Sequence, residues 1–392
     1  MSEDLLESTA HRDDAGTQAL ITARWPTNEV TPSPLVLPTQ CRADGKEKGE
    51  ASQMMPCHSH HANVMNALRG YRVTQMLHVA AKLGVPDLLA DGPRTATALA
   101  RAAGADAAAL YRLLRALASE GVFHQDTEGN FSLTEEWQAL RSNVDGSAHS
   151  PAILFGESFW WDAWGGLFDS VRSGGTAFEQ VHGVGFFEFL EANPDAACVF
   201  NAAMQSMTTE RAAAIAAAID MSGCRSLVDV GGGHGAFAAA LACRHPEVAV
   251  TLFDRSSVVD GARSTLSSFG ILDRCGVVVG DFFVFVPSGA DIYTLKDIVH
   301  DWDDERALRL LTNVRAAMTG SARVIVIERI VPPGGEPSVS KIVDMSMLIL
   351  TGGKERTEME YRALLNSAGL RVSRVTRLDQ ETSIIEAEAA TL

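Results

Sequence analysis

Positive charge is scarce in this chain. Its 392 residues carry 33 lysines and arginines against 49 aspartates and glutamates, a formal net charge of −16. That deficit argues against a sequence-independent grip on nucleic-acid phosphates and against binding to an anionic membrane surface. No apolar run reaches the ~18 residues that a bilayer span requires. The amino terminus lacks a basic start followed by an apolar stretch, so secretion is not expected. The six cysteines, at 41, 57, 198, 224, 243 and 275, form no C-x-x-C pair. They read as reduced thiols of a cytoplasmic protein, not as a disulfide frame. Also missing is the G-x-G-x-x-G spacing of a dinucleotide turn.

What the chain does have is the run L-V-D-V-G-G-G-H-G from Leu227 to Gly235, followed by an alanine-rich helical stretch. An apolar strand breaks into glycines that let the backbone turn sharply and approach a ligand closely. Asp254 ends the next apolar run, about 20 positions on, where a carboxylate can accept from a ribose hydroxyl pair. Gly231-x-Gly233-x-Gly235 suits a ligand with ribose and adenine but no pyrophosphate. S-adenosylmethionine is the obvious candidate, and the spacing disfavours an NAD-dependent dehydrogenase. The bland alternative, an ordinary glycine-rich strand-to-helix turn, weakens once Asp254 is counted.

Residues 1–55 are polar, rich in Pro, Gly and Ser and without period, and are expected to be a disordered extension. Cys57-His58-Ser59-His60-His61 has metal-ligating residue types but no second pair at fixed spacing. It reads as solvated tail, and no metal is expected anywhere in the chain. Residues 56–150 have helical spacing. Met65, Leu68, Tyr71, Met76, Leu77, Ala80 and Leu83 recur at three and four until Gly84 and Pro86 stop the pattern. Two shorter helices (Thr95–Ala103 and Asp106–Glu120) and a two-strand wing (G-V-F-H-Q, then F-S-L-T) complete a winged-helix plan. Such a plan suggests a DNA-binding regulator. Charges between Arg69 and Glu136 nearly cancel, however, and Leu110, Leu113, Leu114 and Leu117 give an apolar face. A packing or dimerisation module is the better reading, and no nucleic acid or membrane is expected as a partner.

Residues 151–392 form the second expected domain. Its first part, 151–225, is helical and dense in aromatics and methionines, including Phe159, Trp160, Trp161, Phe200, Met204 and Met207. Such stripes are often plain core. Just ahead of the cofactor turn they also suit the wall of a pocket for a flat apolar molecule. From 226 on, strands and helices alternate: Ser226–Val230, Ala249–Asp254, Gly276–Gly280, Ile292–Lys296, Val324–Glu328, then strands near 370–378 and 383–389. The fold class is α/β, a Rossmann-like domain with a largely parallel sheet behind an α-helical winged-helix domain. Ligands bind beyond the carboxyl ends of such strands, where Asp254, Asp281, Lys296 and Glu328 all fall. Asp281 and Phe282 in G-D-F-F can contact the nucleoside and stack on its base. His300, in L-K-D-I-V-H-D-W-D-D-E, is a histidine at the rim of that pocket, able to take a proton near neutral pH. Glu328 and Glu355 are candidates to hold its Nδ1–H. Taken singly, each glutamate is more often a solvated charge.

With G-G-K-E-R-T at 352–357 these segments resemble one family over about residues 64–389. It is the cation-independent S-adenosylmethionine-dependent O-methyltransferases of the plant caffeate and bacterial polyketide-tailoring type. The resemblance implies a winged-helix dimerisation domain, a methyltransferase domain and a small aromatic acceptor in secondary metabolism, such as antibiotic biosynthesis. It places cofactor contacts on Gly231, Asp254, Asp281, Phe282 and Lys296. It places the general base on His300, with Glu328 and Glu355 beside it. The substrate wall falls on Trp160, Met204 and Met207 and around Asp344 and Met345. A homodimer through the amino-terminal domain is expected. The chain departs from the family at Arg255-Ser256, where Leu-Pro is frequent, and in its 55-residue extension. A non-methylating relative, using the same cofactor site for decarboxylation or hydroxylation, is the alternative that an intact His300 disfavours.

Overall fold

The computed structural model describes residues 60–390. The extension at 1–55, Cys41, and the Cys57–His61 cluster's side chains lie outside what it describes. The helical spacing after residue 64 becomes α1 (His60–Lys82), closed by Gly84 at φ +65° ahead of the one-turn α2 (Val85–Leu88). Thr95 and Asp106 are the N-caps of α3 (Ala96–Ala103) and α4 (Ala107–Ser119). Their side-chain oxygens accept from Ala98 and Ala109 backbone N–H at 3.2 and 2.8 Å, satisfying donors that no helical turn can reach. The wing has three strands, in the order β1 (Arg94–Thr95), β3 (Asn130–Leu133), β2 (Phe123–Gln125). Only two strands were legible, because β1 is two residues long and too short to display a period. Leu99, Leu110, Leu114, Leu117, Phe123 and Phe131 form this unit's core.

Six helices follow: α5 (His149–Leu154), α6 (Ser158–Gly165), α7 (Leu167–Ser173), α8 (Ala177–His182), α9 (Phe186–Ala192) and the 25-residue α10 (Pro194–Ala218). Phe159, Trp160, Phe178 and Phe186 make their common core.

The strands of the main sheet are β4 (Ser226–Val230), β5 (Ala249–Asp254), β6 (Cys275–Val279), β7 (Ile292–Lys296), β8 (Arg323–Glu328), β9 (Leu370–Arg377) and β10 (Ser383–Ala389). They lie in the order β6-β5-β4-β7-β8-β10-β9. The first five run parallel and β10 is antiparallel to both its neighbours. The reversal has a simple cause: β9 and β10 are joined by a turn over residues 378–382, too short for the crossover that a parallel pair needs. The chain leaves β4 to one side for β5 and returns to its other side for β7. That switch point opens a crevice at the carboxyl ends.

Strand residues alternate between two cores. Val324 and Val326 pack with Leu310, Leu311 and Val314 of α13 (Asp304–Ala317) and Leu365 of α15 (Glu358–Ser367). Ile325 and Ile327 face Phe237 and Leu241 of α11 (Ala236–Arg244) and Leu266 of α12 (Ser256–Ser268). Helix α14 (Val339–Leu350) joins the aromatic helical layer through Ile349 and Leu350. Leu310 has no exposure. Leu310→Ala should therefore cost about 2–5 kcal/mol, read as a lower midpoint in urea unfolding with an unchanged slope. A change under about 1 kcal/mol would show that this core can collapse around the gap. None of the described helices is long and apolar enough to cross a membrane.

Candidate active site

The glycine turn forms the floor of the crevice. Gly231 donates its N–H to Phe253 O at 2.8 Å, tying the turn to β5. Gly231 has φ +71°, and a Cβ there would sit 2.6 Å from Ile298 Cδ1. At Gly232 a Cβ would sit 2.8 Å from Leu252 Cγ and 2.9 Å from Asp229 Oδ2. Any larger residue at these two positions would fill the cradle. Asp254 supports the turn from the neighbouring strand: Oδ2 accepts from Gly233 N at 2.8 Å and Oδ1 from Arg255 N at 2.7 Å. Burial raises its carboxyl pKa, against those hydrogen bonds.

Beneath the turn, Asp229 is buried with Oδ1 accepting from the Thr294 hydroxyl at 2.7 Å and Oδ2 without a partner. Burial pushes its pKa up to about 7. Gly231, Asp254, Asp281, Phe282 and Lys296 all line one cavity of about 460 Å³. Lys296 Nζ bonds Asp297 at 2.5 Å and the Thr208 hydroxyl at 3.2 Å. Asp281 is exposed at its edge, and its Oδ1 accepts from Phe283 N at 2.7 Å. Phe282 packs edge-on to Trp302 at 6.0 Å between centroids. An open glycine cradle, an orphan buried carboxyl oxygen, a carboxylate at the end of β5 and an aromatic face together fit an adenosine bearing a charged tail.

His300 sits in a single 3-10 turn, Val299–Asp301, just after β7. The pairing of β7 with β8 sets Lys296 beside Ile327, so the chain beyond β7 passes over Glu328. Glu328 Oε1 accepts from the backbone N–H of Ile298, Val299 and His300 at 3.1, 2.8 and 3.2 Å. Glu328 thus chiefly fixes the turn, and its Oε2 lies 3.4 Å from His300 Nδ1. The closer partner is Glu355, with Oε1 at 2.9 Å from Nδ1. A carboxylate accepts, so Nδ1 carries the proton and neutral His300 leaves Nε2 as its free lone pair. Asp301 Oδ1 is 3.7 Å from Nε2.

Burial disfavours the imidazolium, but Glu328, Glu355 and Asp301 outweigh it and hold the His300 pKa well above 6.5. The sign for stability follows. These ion pairs contribute fully below the unfolded pKa and are lost as pH rises through the higher folded one. Burial pushes Glu328 up to about 7 and Asp301 up to about 6. Asp297 is the one non-glycine residue with positive φ among those described, at +53°. Burial works against its charge, but Lys296 and Arg329 hold its pKa below the usual carboxylate range. Asp297, His300 and Glu328 could jointly reach one metal ion. Yet Nδ1 of His300 and Oε1 of Glu328 are already engaged in the hydrogen bonds just described.

The far end of the cavity is apolar, with Trp160, Phe200, Met204, Met207, Met347 and Leu350 on its wall. Asp344 and Met345 do not line it. Helix α14 turns Val343, Ser346, Met347 and Leu350 inward, and the intervening positions lie off that face at 100° per residue. Asp344 instead accepts from Glu355 N at 2.9 Å. Sequence reading also passed over Trp302, Arg329 and Asp297, all cavity-lining. Asp297 and Trp302 stand within the L-K-D-I-V-H-D-W-D-D-E run, while nothing in the pattern marks Arg329. At the Leu-Pro departure, Arg255 pairs with Glu191 at 2.5 Å and lies over the Phe187 ring.

Residues 164–371 match the family described as the O-methyltransferase domain, and residues 65–138 match the O-methyltransferase dimerisation domain. A phenazine O-methyltransferase of Lysobacter antibioticus is 40% identical over 324 residues, covering 83% of this chain and 95% of that one. A mitomycin biosynthesis 6-O-methyltransferase of Streptomyces lavendulae is 41% identical over 316 residues, covering 79% and 89%. A phenazine-1-carboxylate N-methyltransferase of Pseudomonas aeruginosa is 34% identical over 328 residues, covering 84% and 97%. Among solved structures, an O-methyltransferase from neocarzinostatin biosynthesis has a TM-score of 0.71 and 33% identity, covering 81% of this chain and 96% of that one. It was crystallised with S-adenosylmethionine and 2-hydroxy-5-methyl naphthoic acid.

Proposed function

This chain belongs to the S-adenosylmethionine-dependent O-methyltransferases, and we propose that it methylates a phenolic hydroxyl of a small planar aromatic metabolite, with His300 as general base. The bound cofactor supplies an electrophilic methyl group on a sulfonium sulfur. Everything else falls to the protein. The Gly231–Gly235 turn and Asp254 receive the ribose and Asp281 and Phe282 the adenine, with Lys296 at the end of β7 as a further cofactor contact. Trp160, Met204 and Met207 flank the acceptor ring. Holding the acceptor oxygen in line with the methyl contributes several kcal/mol toward the barrier.

The observation that carries this reading is the 2.9 Å contact between His300 Nδ1 and Glu355, in the same cavity as the glycine turn. It fixes the tautomer that leaves Nε2 to take the phenolic proton, and it stabilises the imidazolium that results. Oxygen is favoured over nitrogen as acceptor for the same reason. A phenol, with a pKa of about 10, gains from losing its proton, whereas a neutral amine already offers a lone pair.

The proposed assembly is a homodimer through the amino-terminal unit. Val64, Leu68 and Tyr71, spaced for one face of α1, are more than half exposed. Four described cysteines are free thiols, which supports a reducing, cytoplasmic setting.

The test is methyl-labelled S-adenosylmethionine with a panel of hydroxylated phenazines, naphthoates and benzoates, read by mass spectrometry. A gain of one labelled methyl on a hydroxyl oxygen is expected. Label on nitrogen or carbon alone, or on no acceptor, would contradict the proposal. The pH profile adds a second check. Neutral His300 is the active form, so kcat/KM should climb with pH through a limb above pH 6.5. A profile already flat at pH 6 would not fit a base whose pKa is raised.

A further inference from the structure

Arg356 is the largest fully buried side chain among the described residues, and the proposed chemistry gives it no task. Its hydrogen bonds show what it holds. Nη1 donates to Val299 O at 3.1 Å and Lys354 O at 3.3 Å. Nη2 donates to Trp302 O at 2.8 Å and to Asp304 Oδ1 at 2.9 Å, and Nε to the same Asp304 oxygen at 3.0 Å. The neighbouring Lys354 N donates to His300 O at 2.9 Å. Carbonyls 299, 300 and 302 are therefore all held by residues 354 and 356. Glu328 holds the amides of the same turn from the other side.

Gly353 closes the contact. A Cβ on it would lie 2.0 Å from His300 O and 2.4 Å from Asp301 C. Its φ is not in the left-handed region, so close approach, not conformation, is what demands glycine here. The segment is registered against the end of β8 by Val331 N donating to Arg356 O at 3.0 Å. Between Lys354 and Arg356 stands Glu355, whose own N–H is held by Asp344.

We propose that residues 353–356 are a positioning strap for the catalytic histidine. Gly353, Lys354 and Arg356 grip the His300 turn by its carbonyls and thereby set the distance from the imidazole to the carboxylate that the same strap carries. Arginine suits the task because its planar fork reaches several acceptors at fixed angles, which lysine cannot do. The catalytic meaning of the strap rests on His300 being the base. Its geometric meaning, a base and its orienting carboxylate locked by one segment, does not.

The experiment is an NMR titration of the full chain, labelled at histidine Cε1 and saturated with S-adenosylhomocysteine. The His300 resonance is assigned by its loss in H300Q. The charged groups around this imidazole are Glu328 on β8, Glu355 on the strap, Asp301 on its own turn and Asp297 just before it. Gly353→Ala and Arg356→Lys should shift the turn away from Glu355 and lower the His300 pKa by about one unit or more. Asp304→Asn, at a side chain 61% exposed, should shift it in the same direction by less, with folding intact. Affinity for S-adenosylhomocysteine by calorimetry should stay near wild type, which a general loss of structure would not allow. A His300 titration unmoved in both G353A and D304N overturns the proposal. If a substitution at 353 or 356 prevents folding, an unmoved titration in D304N alone overturns it. Methyl transfer surviving in H300Q would remove the base assignment instead, and leave the strap standing on its titration result.

Discussion

His300→Gln is expected to lower kcat by about 10²–10⁴-fold, the usual share of a positioned base. Calorimetry with S-adenosylhomocysteine should find its affinity nearly unchanged. The split follows from the geometry. His300 touches the rim of the cavity, whereas the residues suited to the nucleoside stand on the glycine turn, β5 and the end of β6. Glutamine cannot take a proton, and it leaves Glu355 with the Arg329 guanidinium, 3.9 Å away, in place of the imidazole. If H300Q turned over at the wild-type rate, the base would have to be another group. A matching collapse in cofactor affinity would mean that His300 supports the cofactor site and not the proton transfer.

Asp254→Ala is expected to act on the opposite parameter. The carboxylate holds two backbone N–H groups, of Gly233 and Arg255, and faces the cavity. Hydrogen bonds to a charged group are worth about 1.5–3 kcal/mol each, so losing the ribose contact alone implies about 10–100-fold weaker binding. Loosening of the glycine turn adds to that. Asp254→Asn keeps one acceptor oxygen and should fall between the two. Calorimetric titration with S-adenosylhomocysteine measures both variants. Wild-type affinity in D254A would show that the ribose lies elsewhere in the crevice.

The sheet was largely legible because its strands are apolar runs ended by glycine or a charged residue, and observed ends differ from the expected ones by about a residue. The third strand was expected at Gly276–Gly280 and lies at Cys275–Val279. The nucleotide turn could be read because glycine spacing and a carboxylate one strand later are local signals. Residue pattern alone did not bring His300 together with its two glutamates; only the family resemblance set them side by side. Glu328 arrives because β8 pairs in register with β7, and Glu355 because a loop after α14 folds back over the turn. Sequence pattern names residues that could do this but does not bring them together. The phase of α14 was similarly invisible: a helix apolar on several sides does not announce which stripe faces the cavity. The family resemblance put the pocket wall around Asp344, whose Oδ1 accepts from the Glu355 backbone N–H. Arg356 stood in the G-G-K-E-R-T motif, but its burial left no trace, because a buried arginine looks like any other charged residue in a polar loop.

On the proposed reading, the imidazole of His300 faces the sulfonium of the bound cofactor across one cavity. The most direct measurement compares the His300 titration in wild-type protein saturated with S-adenosylmethionine and with its neutral product, S-adenosylhomocysteine. With the acceptor oxygen between them, a unit positive charge about 7 Å away at an effective dielectric near 20 is worth about 2 kcal/mol, enough to move a pKa by about one unit. A lower His300 pKa is expected with S-adenosylmethionine than with the product. Identical titration in the two complexes, with both ligands bound, would contradict it.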